Sequence, residues 1–567
     1  MENLRKIIFF GDSITKGGAP VFERFFKEKY ADIKTEIINA GVSGETSRDG
    51  LKRIASLTNE SPQVIVIGFG MNDWRKGVSK EEFESNIRQM IDKFEEINAR
   101  VILTTISPCY EGIWKGTNKT VDEYNCIIRN VAREKRIKVA DVNSLWKREI
   151  KPVIRGLRDA IHPNAKGYTI YCKALLRVVP REHIVILWQY NGREAKCNYR
   201  CPYCYYAWAP KDEDYFFGTI EQWKKKFKDF FRKQRLIFYL AFGEPTIGAA
   251  FHETVDMIGS EPNWSLRITS NISVWEELKW LANSSLAREG RLNINASFHP
   301  LGTTIEEFLQ KVLFLREHNI EVPVVYVMYP PFLERFERDF DVFNEHNFLV
   351  HVRRFRGWYK NKYYPDAYTE EERQFIAKYC DDATIKYMLN NYPLINKLSY
   401  SGMDFMVVDN IGNVGYDSDY FPIYSKYGYN LLGNIVKDNL KLLLEPDSYP
   451  GEMEGTVDGV SNLLELNYRQ LEKNNVISFA RQGGVYHTDK GVFYKNMSKD
   501  FNDSRIRAEY YFPARGIKDE YFIFRYLGIR KYSRCLIKKV RKYLISLMPH
   551  HRFIGGLLIF IRRLMVR

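Results

Sequence analysis

The feature that most constrains the fold of this chain is a regular alternation of short apolar runs and helical segments over its first 180 residues. Apolar runs of this length are typical of strands buried on both faces of a parallel sheet. They lie at Ile7–Phe10, Thr35–Asn39, Val64–Gly68, Val101–Thr105 and Lys138–Asp141. Lys80–Ile97 is predicted to be a helix that begins after Ser79 as N-cap. We therefore predict an α/β, flavodoxin-like doubly wound domain over residues 1–180, with its site at the carboxyl ends of the strands.

A second alternating series begins near Ile184. Its predicted strands are Ile184–Trp188, Leu236–Ala241, Ser265–Thr269, Leu292–Ser297, Val322–Met328 and Phe348–Arg353. Six strands with intervening helices predict a partial (β/α)6 barrel over residues 184–363. The linker around residues 179–183 is short, so we expect two docked domains. The pattern then becomes irregular, and we divide the remainder into a mixed extension, residues 364–500, and a tail, residues 501–567.

Charge is distributed unevenly along the 567 residues. The net charge is +15, and residues 521–567 contain 12 Lys or Arg with no Asp or Glu. A basic excess confined to one end is not the pattern of a nucleic-acid-binding protein, and we expect no nucleic-acid partner. The tail interleaves its cations with apolar residues. This indicates either an amphipathic helix that binds anionic lipid or an acidic partner, or a packed terminal helix with solvated charges.

Cysteine spacing and hydropathy bear on the compartment. No secretion signal or membrane span is expected, because apolar runs such as Ile7–Phe10 and Phe553–Ile561 are too short. Three of the eight cysteines lie within eight residues and five are scattered, which favours a metal site over a disulfide framework. We expect a cytoplasmic protein, with peripheral contact at the inner face of the membrane if the tail binds lipid.

The first domain carries a candidate acyl-transfer site. Ser13 follows the first predicted strand in a Gly-Asp-Ser sequence, where its hydroxyl can lie at the top of the sheet. Asp159 and His162 share one later loop, so His162 can accept the serine proton while Asp159 holds the imidazole tautomer. The backbone N–H of Gly44 and the side-chain amide of Asn72 are candidate donors to an oxyanion. Alternatively, these are an ordinary turn serine and a helix-entry loop.

These segments resemble, in order and position, the sequence blocks of the SGNH/GDSL hydrolase family. The resemblance covers residues 1 to about 180. It implies Ser13 as nucleophile, Gly44 and Asn72 as oxyanion donors, and Asp159 with His162 as the remaining catalytic residues. Since the family includes esterases, thioesterases, phospholipases and carbohydrate deacetylases, the acyl substrate does not follow from the motif.

The second domain carries a compact thiol loop. Cys197, Cys201 and Cys204 follow the strand Ile184–Trp188, and soft thiolates of this kind suit an iron–sulfur cluster or zinc. A structural zinc site would require a fourth protein ligand, and no further Cys or His is close in the sequence. Three ligands leave one metal position open to another molecule.

This spacing resembles the signature of the radical S-adenosylmethionine (SAM) superfamily, and the resemblance extends over roughly residues 184–436. The sequence Gly243-Glu244-Pro245 is similar to the family's Gly-Gly-Glu-Pro motif, with Phe242 in place of the first glycine. The resemblance implies one [4Fe-4S] cluster, SAM bound to its open iron, and formation of a 5′-deoxyadenosyl radical. The residues implied to contact SAM are Gly243, Glu244, Pro245, Thr269, Ser270, Asn271 and Ser297.

Residues Ser399 to Ile435 resemble the start of a SPASM-type extension, but the cysteines of such extensions are missing. Ser399 and Asp417 occupy the expected ligand places, and Cys380 is the only cysteine between Cys204 and Cys535. One thiol cannot hold an auxiliary cluster. We therefore expect a single cluster in a degenerate, cysteine-poor extension.

The two resemblances together predict a bifunctional enzyme. A serine esterase or deacylase would act with a radical SAM domain, in surface-glycan or lipid-linked carbohydrate modification. One alternative is a peptide-maturing radical enzyme with an accessory hydrolase. Another is a hydrolase half that serves only as a substrate-binding module. Expected partners are an acylated small-molecule, glycan or peptide substrate and a reductant protein such as ferredoxin or flavodoxin.

Overall fold

The computed structural model describes one extensive part of the chain. This part comprises residues 5–29, 35–111, 117–179, 183–190, 197–204, 217–232, 234–380, 384–390, 398–416, 431–443 and 447–448. The chain divides into two compact units, Met1–Phe501 and Asn502–Arg567, and every described residue belongs to the first. The predicted tail, residues 501–567, and Asp417 lie outside the described residues.

The first domain is built on a parallel sheet of five strands in the order β2-β1-β3-β4-β5. Its strands are β1 (Arg5–Gly11), β2 (Thr35–Gly41), β3 (Val64–Gly68), β4 (Arg100–Thr104) and β5 (Lys138–Ala140). Its helices are α1 (Ser13–Lys29), α2 (Ser47–Lys52), α3 (Ile54–Thr58), α4 (Met71–Arg75), α5 (Lys80–Glu96), α6 (Thr117–Lys135), α7 (Val142–Glu149) and α8 (Ala165–Leu176). The predicted flavodoxin-like strand order is confirmed.

The sequence forms these elements for local reasons that are visible in the structure. The four residues Ile7–Phe10 of β1 are fully buried, because helices cover both faces of a doubly wound sheet. Helix α5 begins where the hydroxyl of Ser79 accepts a hydrogen bond from the backbone N–H of Glu82 at 3.1 Å. Its apolar residues then fall on one buried side, including Phe83, Ile87 and Met90.

The second domain is built on a nine-stranded sheet in the order β11-β10-β9-β8-β7-β6-β15-β16-β17. Its first six strands are β6 (His183–Trp188), β7 (Arg235–Leu240), β8 (Trp264–Ser270), β9 (Leu292–Phe298), β10 (Val324–Met328) and β11 (Val350–Arg354). They are parallel and sequential. The accompanying helices are α9 (Ile220–Phe231), α10 (Phe251–Gly259), α11 (Trp275–Ala282), α12 (Ser285–Arg288), α13 (Ile305–Glu317) and α14 (Leu333–Glu345). The six predicted repeats are therefore confirmed.

Short elements follow these repeats. They are a hairpin of β12 (Gly357–Tyr359) and β13 (Lys362–Tyr364), helix α15 (Glu370–Ala377), a π-helical segment (Thr384–Leu389), and strands β14 (Leu398–Ser399), β15 (Phe405–Val408), β16 (Asn413–Gly415), β17 (Leu431–Asn434) and β18 (Asp447–Ser448). Among the described residues, 3₁₀ helices lie at Val153–Gly156, Pro245–Ile247 and Pro330–Phe332. In the described part of the chain, no helix is long and apolar enough to cross a membrane.

Residues of the extension complete both domains. Strand β15 lies parallel to β6, with Phe405 opposite Val185, and β16 and β17 continue the sheet in antiparallel fashion. Just before β15, Tyr400 and Met403 pack into the hydrophobic core of the first domain. Asp404, also just before β15, pairs with Lys138 of β5. The segment that begins at residue 398 therefore connects the two sheets.

A second contact joins the domains at the end of α9. The guanidinium of Arg136, which precedes β5, lies 3.9 Å from the ring centroid of Phe230. Arg136 also donates hydrogen bonds to the backbone carbonyls of Asp229 and Phe230. A guanidinium that stacks on a ring and donates to helix-end carbonyls fixes the contact in both distance and direction.

Candidate functional sites

The structure brings together Ser13, His162 and Asp159, which are 149 residues apart at their extremes. Ser13 is the first residue of α1, directly past the carboxyl end of β1. Its Oγ lies 2.9 Å from Nε2 of His162, and Nδ1 of His162 lies 2.9 Å from Oδ2 of Asp159. A hydroxyl, an imidazole and a carboxylate in this order can pass a proton from the hydroxyl to the ring.

Local backbone hydrogen bonds hold the carboxylate of Asp159 in place. Its Oδ1 accepts hydrogen bonds from the backbone N–H groups of Ile161 at 3.0 Å and of His162 at 2.8 Å. Partial burial opposes ionisation, but these donors and the imidazole outweigh it and bring the pKa of Asp159 well below its ordinary value. The side chain is therefore a carboxylate at neutral pH and can accept from Nδ1–H of His162.

Two contacts bring the predicted oxyanion donors to the same side of the sheet. Asn72, on α4, donates through Nδ2 to the backbone carbonyl of Glu45 at 2.9 Å. Lys76 donates through Nζ to the carbonyl of Gly44 at 2.7 Å. Gly44 has φ of 82°, a conformation that glycine adopts without steric cost. The Gly44 loop and α4 are thus fixed to each other.

Two buried carboxyl groups support this site and were not assigned a role from the sequence. Asp12 accepts from the backbone N–H of Ile14 at 2.9 Å, and burial raises its pKa to about 7. Asp73 accepts from the backbone N–H and the hydroxyl of Ser47 at 2.9 and 2.5 Å, and burial raises its pKa as well. Asp12 is adjacent in the sequence to Ser13, and Asp73 is adjacent to Asn72. This adjacency to predicted functional residues could have indicated a role for both carboxyl groups.

The thiol loop of the second domain lies past the carboxyl end of β6. Asn198 connects it to the segment after β8, because Asn271 Nδ2 donates to Asn198 Oδ1 at 2.9 Å and Asn198 Nδ2 donates to Ser273 Oγ at 2.7 Å. Asn271 Nδ2 also lies 3.8 Å from Sγ of Cys197. The predicted SAM-contact segment and the predicted cluster loop are therefore in direct contact.

Glu244 forms the centre of the second candidate site. The side chain is 1% exposed, and its Oε1 accepts from the hydroxyls of Thr246 and Ser270, each at 2.7 Å. Its Oε2 accepts from the backbone N–H of Asn271 at 2.6 Å. Burial raises its pKa, and these donors act in the opposite direction. Gly243 before it has φ of 65°, so a side chain there would be strained.

The remaining predicted SAM contacts lie at the same edge. The hydroxyls of Thr269 and Tyr239 are hydrogen bonded to each other at 2.9 Å. Ser297, in β9, is half-buried. His299, which follows β9, belongs to the same predicted SAM-contact segment as Ser297, but its contact with the thiol loop was not predicted. Its Nδ1 lies 3.0 Å from the hydroxyl of Tyr203 and 3.5 Å from Sγ of Cys201, and burial lowers its pKa to about 4. Only its position after a strand could have indicated this contact.

The donors around the thiol loop fit an iron–sulfur cluster. Soft thiolates are its usual ligands, and N–H groups near the sulfurs stabilise their negative charge. The backbone N–H of Tyr199 donates to Sγ of Cys197 at 3.4 Å, and His299 lies beside Cys201. Without a cluster, burial raises the pKa of the Cys197 and Cys201 thiols. Among the described residues, no three His, Cys, Asp or Glu side chains are grouped as a metal site.

The two sheets and their sites define a fusion of two enzyme classes, a hydrolase and a radical enzyme. Residues 9–170 match the GDSL-like Lipase/Acylhydrolase family, and residues 195–342 match the Radical SAM superfamily. Both predicted resemblances are thereby confirmed, and the second domain implies SAM and an iron–sulfur cluster. The residue roles within each site stay predictions.

The curated relatives are similar to the hydrolase half. The acetylxylan esterase of Geobacillus stearothermophilus is 26% identical over 211 residues, covering 32% of this chain and 95% of that enzyme. The thioesterase 1/protease 1/lysophospholipase L1 of Escherichia coli K12 is 28% identical over 105 residues, covering 18% of this chain and 50% of that protein. The solved lipase/acylhydrolase of Enterococcus faecalis is 27% identical, with a TM-score of 0.28, and covers 30% of this chain and 93% of that one.

Proposed function

We propose that the hydrolase half is a serine-dependent deacylase and that the radical half modifies the same substrate or one in the same pathway. The observation that carries the first part is the continuous hydrogen-bonded path from Ser13 through His162 to Asp159. Such a path serves no binding function by itself, because each member is needed only to move a proton. This argues against a hydrolase half that merely binds.

In the proposed hydrolysis, Ser13 attacks the ester carbonyl while His162 accepts its proton. Asp159 stabilises the imidazolium and holds its orientation. The backbone N–H of Gly44 and the second N–H of the Asn72 amide donate to the developing oxyanion, since the first N–H of that amide is bound to Glu45. His162 then gives the proton to the leaving alcohol. A water molecule, deprotonated by His162, attacks the acyl–Ser13 ester, which releases the acid and restores the Ser13 hydroxyl.

Acylated carbohydrate is the substrate class that we propose for this half. The support is the Geobacillus stearothermophilus relative, named an acetylxylan esterase, which is matched over nearly its whole length. The exposed rim offers apolar surface for a substrate: Val42 is 40% exposed beside the Gly44 loop, and Tyr110 is 40% exposed. The backbone N–H of Tyr110 donates to the carbonyl of Ala160 in the His162 loop.

For the radical half we propose that Cys197, Cys201 and Cys204 hold one [4Fe-4S] cluster. When bound, the cluster supplies the electron for cleavage of SAM. Gly243, Glu244 and Pro245 would receive the methionine end of SAM, with Thr269, Ser270, Asn271 and Ser297 at the adjoining strand ends. Glu244 would act by fixing the backbone of Asn271, to which it is hydrogen bonded. The cluster would need a reductant protein such as ferredoxin or flavodoxin.

The hydrolase proposal is tested with Ser13→Ala and p-nitrophenyl acetate. Loss of a triad member should lower kcat by about 10⁴ to 10⁶, because the residual rate depends on the oxyanion donors alone. Ser85→Ala is the matched control, since Ser85 is an exposed helical serine of the same domain. Equal turnover by wild type and Ser13→Ala would contradict the assignment.

The cluster proposal is tested by anaerobic reconstitution. Near four irons per chain are expected, and reduction in the presence of SAM should release 5′-deoxyadenosine. Cys201→Ala should lose both while esterase activity survives, and Cys126→Ala, which removes an exposed thiol of the first domain, should lose neither. About eight irons per chain would refute a single cluster, and stoichiometric zinc without iron would refute the radical assignment.

Location and tail function are also proposals. We propose a cytoplasmic enzyme whose basic tail contacts the inner face of the membrane. The sequence of residues 521–567 supports this, because its 12 cations have no acidic neighbour within the segment. Truncation after Glu520 should then reduce co-sedimentation with anionic liposomes at low salt.

A further inference from the structure

The inner face of the second sheet, opposite its helices, carries polar side chains on β7, β8, β9 and β11. Because successive strand residues alternate between faces, Leu292, Ile294 and Ala296 of β9 enter the helix-facing core while Asn293, Asn295 and Ser297 point the other way. The polar members of this inner face are Tyr239, Arg267, Thr269, Asn293, Asn295, Ser297, His351 and Arg353. Burying polar side chains from four strands in a core is unfavourable, so this face indicates a binding site.

Most of these polar groups are paired across neighbouring strands. Arg267 Nε donates to Asn293 Oδ1 at 3.0 Å, and Asn293 Nδ2 donates to Glu321 Oε2 at 2.8 Å. Asn295 Nδ2 donates to Thr269 Oγ1 at 3.3 Å. Burial lowers the pKa of Arg267 to about 10, while Tyr239 and Glu321 act in the opposite direction. This network orients Arg267 within the face.

His351 does not take part in this network. Its side chain is 6% exposed, and among the described residues its Nε2 has no hydrogen-bond partner. Burial, with a smaller effect from the positive charges of Arg353 and Arg267, keeps the pKa of its ring well below the ordinary value, so the imidazole is neutral. A buried nitrogen without a partner is unfavourable. A neutral imidazole can donate one N–H to an anion.

Depth and register connect this group to the predicted SAM site. His351 lies opposite Val325, which lies opposite Ser297, so the imidazole is level with a predicted SAM contact. Arg267, opposite Asn293 at a deeper level of the sheet, is 2% exposed, whereas Arg353, one inner-face position beyond His351 toward the carboxyl ends, is half-buried. Access therefore opens toward the edge that carries Glu244 and the thiol loop.

We propose that Arg267, His351 and Arg353 bind an oxyanionic group, a phosphate or a carboxylate, carried by the substrate of the radical half. The proposal rests on the proposed radical SAM function, since that function places a substrate on this face. The two guanidinium groups neutralise the anion, and Nε2 of His351 gains the partner that it lacks. The substrate class is then an acidic molecule rather than a neutral glycan.

The test measures anion binding to reconstituted full-length protein, with no catalytic turnover needed. Inorganic phosphate and acetate are titrated separately by isothermal calorimetry, with SAM absent and then at saturation. Wild type should bind one of the two with at least tenfold higher affinity than Arg353→Gln or His351→Gln. Lys362→Gln, which removes an exposed cation of the β12–β13 hairpin, should bind like wild type. The stronger of the two probes identifies the group as phosphate or carboxylate.

Three results would overturn the proposal. These are binding of neither anion, equal binding by wild type and Arg353→Gln, and full competition between the anion and SAM, which would assign these groups to the carboxylate of SAM. Iron content and release of 5′-deoxyadenosine are measured on the same samples. If both are normal while no anion binds, the inference fails and the radical function stands. If no cluster forms, the proposed function fails.

Discussion

Replacing Lys138 by Met should destabilise the whole described unit, because Lys138 pairs with a carboxylate that has no exposure. Its Nζ lies 2.6 Å from Oδ1 of Asp404, and the side chains are 13% and 0% exposed. At 2.6 Å two unit charges attract by about 6 kcal/mol at an effective dielectric constant of about 20. Part of this attraction offsets the desolvation of both groups. Removing one partner of such a pair typically costs about 3–5 kcal/mol, because the other charge stays buried.

The assay is differential scanning fluorimetry of wild type and variants at neutral pH. A loss of about 3–5 kcal/mol should lower the Tm by about 5–10 °C in a unit of this size. Asp404→Asn combined with Lys138→Met should recover most of the loss, since no unpaired charge remains. Lys147→Met is the matched control: the Lys147–Asp122 pair has similar length, 2.5 Å, but its side chains are 38% and 46% exposed. Its loss should cost less than about 1 kcal/mol.

If Lys138→Met melts within about 2 °C of Lys147→Met, the Lys138–Asp404 pair does not have the stabilising effect expected of a buried pair. The same conclusion follows if the double variant is no more stable than Lys138→Met alone. Esterase activity and iron content, measured on the same variant, would show whether both domains lose structure together. Because the Lys138–Asp404 pair joins the two domains, we expect both to lose structure together.

Three further outcomes are expected from side chains of the two sites. Folding raises the pKa of Asp12 from 3.8 to about 7. The contribution of the protonated side chain to the free energy of unfolding is therefore complete below pH 3.8 and is lost as the pH rises through about 7. Between these limits wild type should lose about 4 kcal/mol relative to Asp12→Asn, measured as the difference in denaturation midpoints, and parallel pH profiles would contradict this. Asp159→Asn should lower kcat with p-nitrophenyl acetate about 10⁴-fold, because an NH2 group in place of Oδ2 cannot accept from Nδ1–H of His162 and disfavours the tautomer that takes the serine proton; unchanged kcat would exclude that role. Glu244→Gln should weaken SAM binding about tenfold at unchanged iron content, because an amide cannot accept from all of its present donors, and simultaneous loss of iron would indicate a general structural role instead.

The strands were predictable because long apolar runs dominate their sequences, and their limits deviate where backbone chemistry intervenes. Strand β10 begins at Val324 instead of Val322, since Pro323 has no N–H to donate to a ladder. Strand β11 begins at Val350 instead of Phe348, because the N–H of Phe348 is bound to the carbonyl of Phe343 as the preceding helix ends. Neither deviation changes the topology.

The extension could not be predicted in the same way. Phe405 pairs with Val185 across more than two hundred residues, and the four-residue strand β15 has no periodicity long enough to reveal such a partner. The resemblance to a SPASM-type segment concerned missing cysteines and gave no information on strand pairing. Sequence patterns report local preferences, whereas a shared edge depends on which strand lacks a neighbour.

The candidate sites show a similar division. Ser13, Asp159 and His162 were found because their motif positions also dictate their geometry, at strand ends that meet on one edge. The contact of His299 with Cys201 and the unpaired nitrogen of His351 were not predicted. Both depend on how far the sheet curves, a property that no single strand encodes.

The segment from residue 398 onward has a consequence for how this gene can change. It supplies Tyr400 and Met403 to the hydrolase core, and β15 supplies the neighbour of the first radical-domain strand. A split at the linker near residue 180 would leave the released hydrolase with a hole where two side chains belong. The hydrolase and radical domains are therefore not structurally independent of each other. A recombination event that separates the two domains must keep the segment from residue 398 onward with the hydrolase, or replace the side chains that this segment supplies. We therefore expect the two domains to be inherited together.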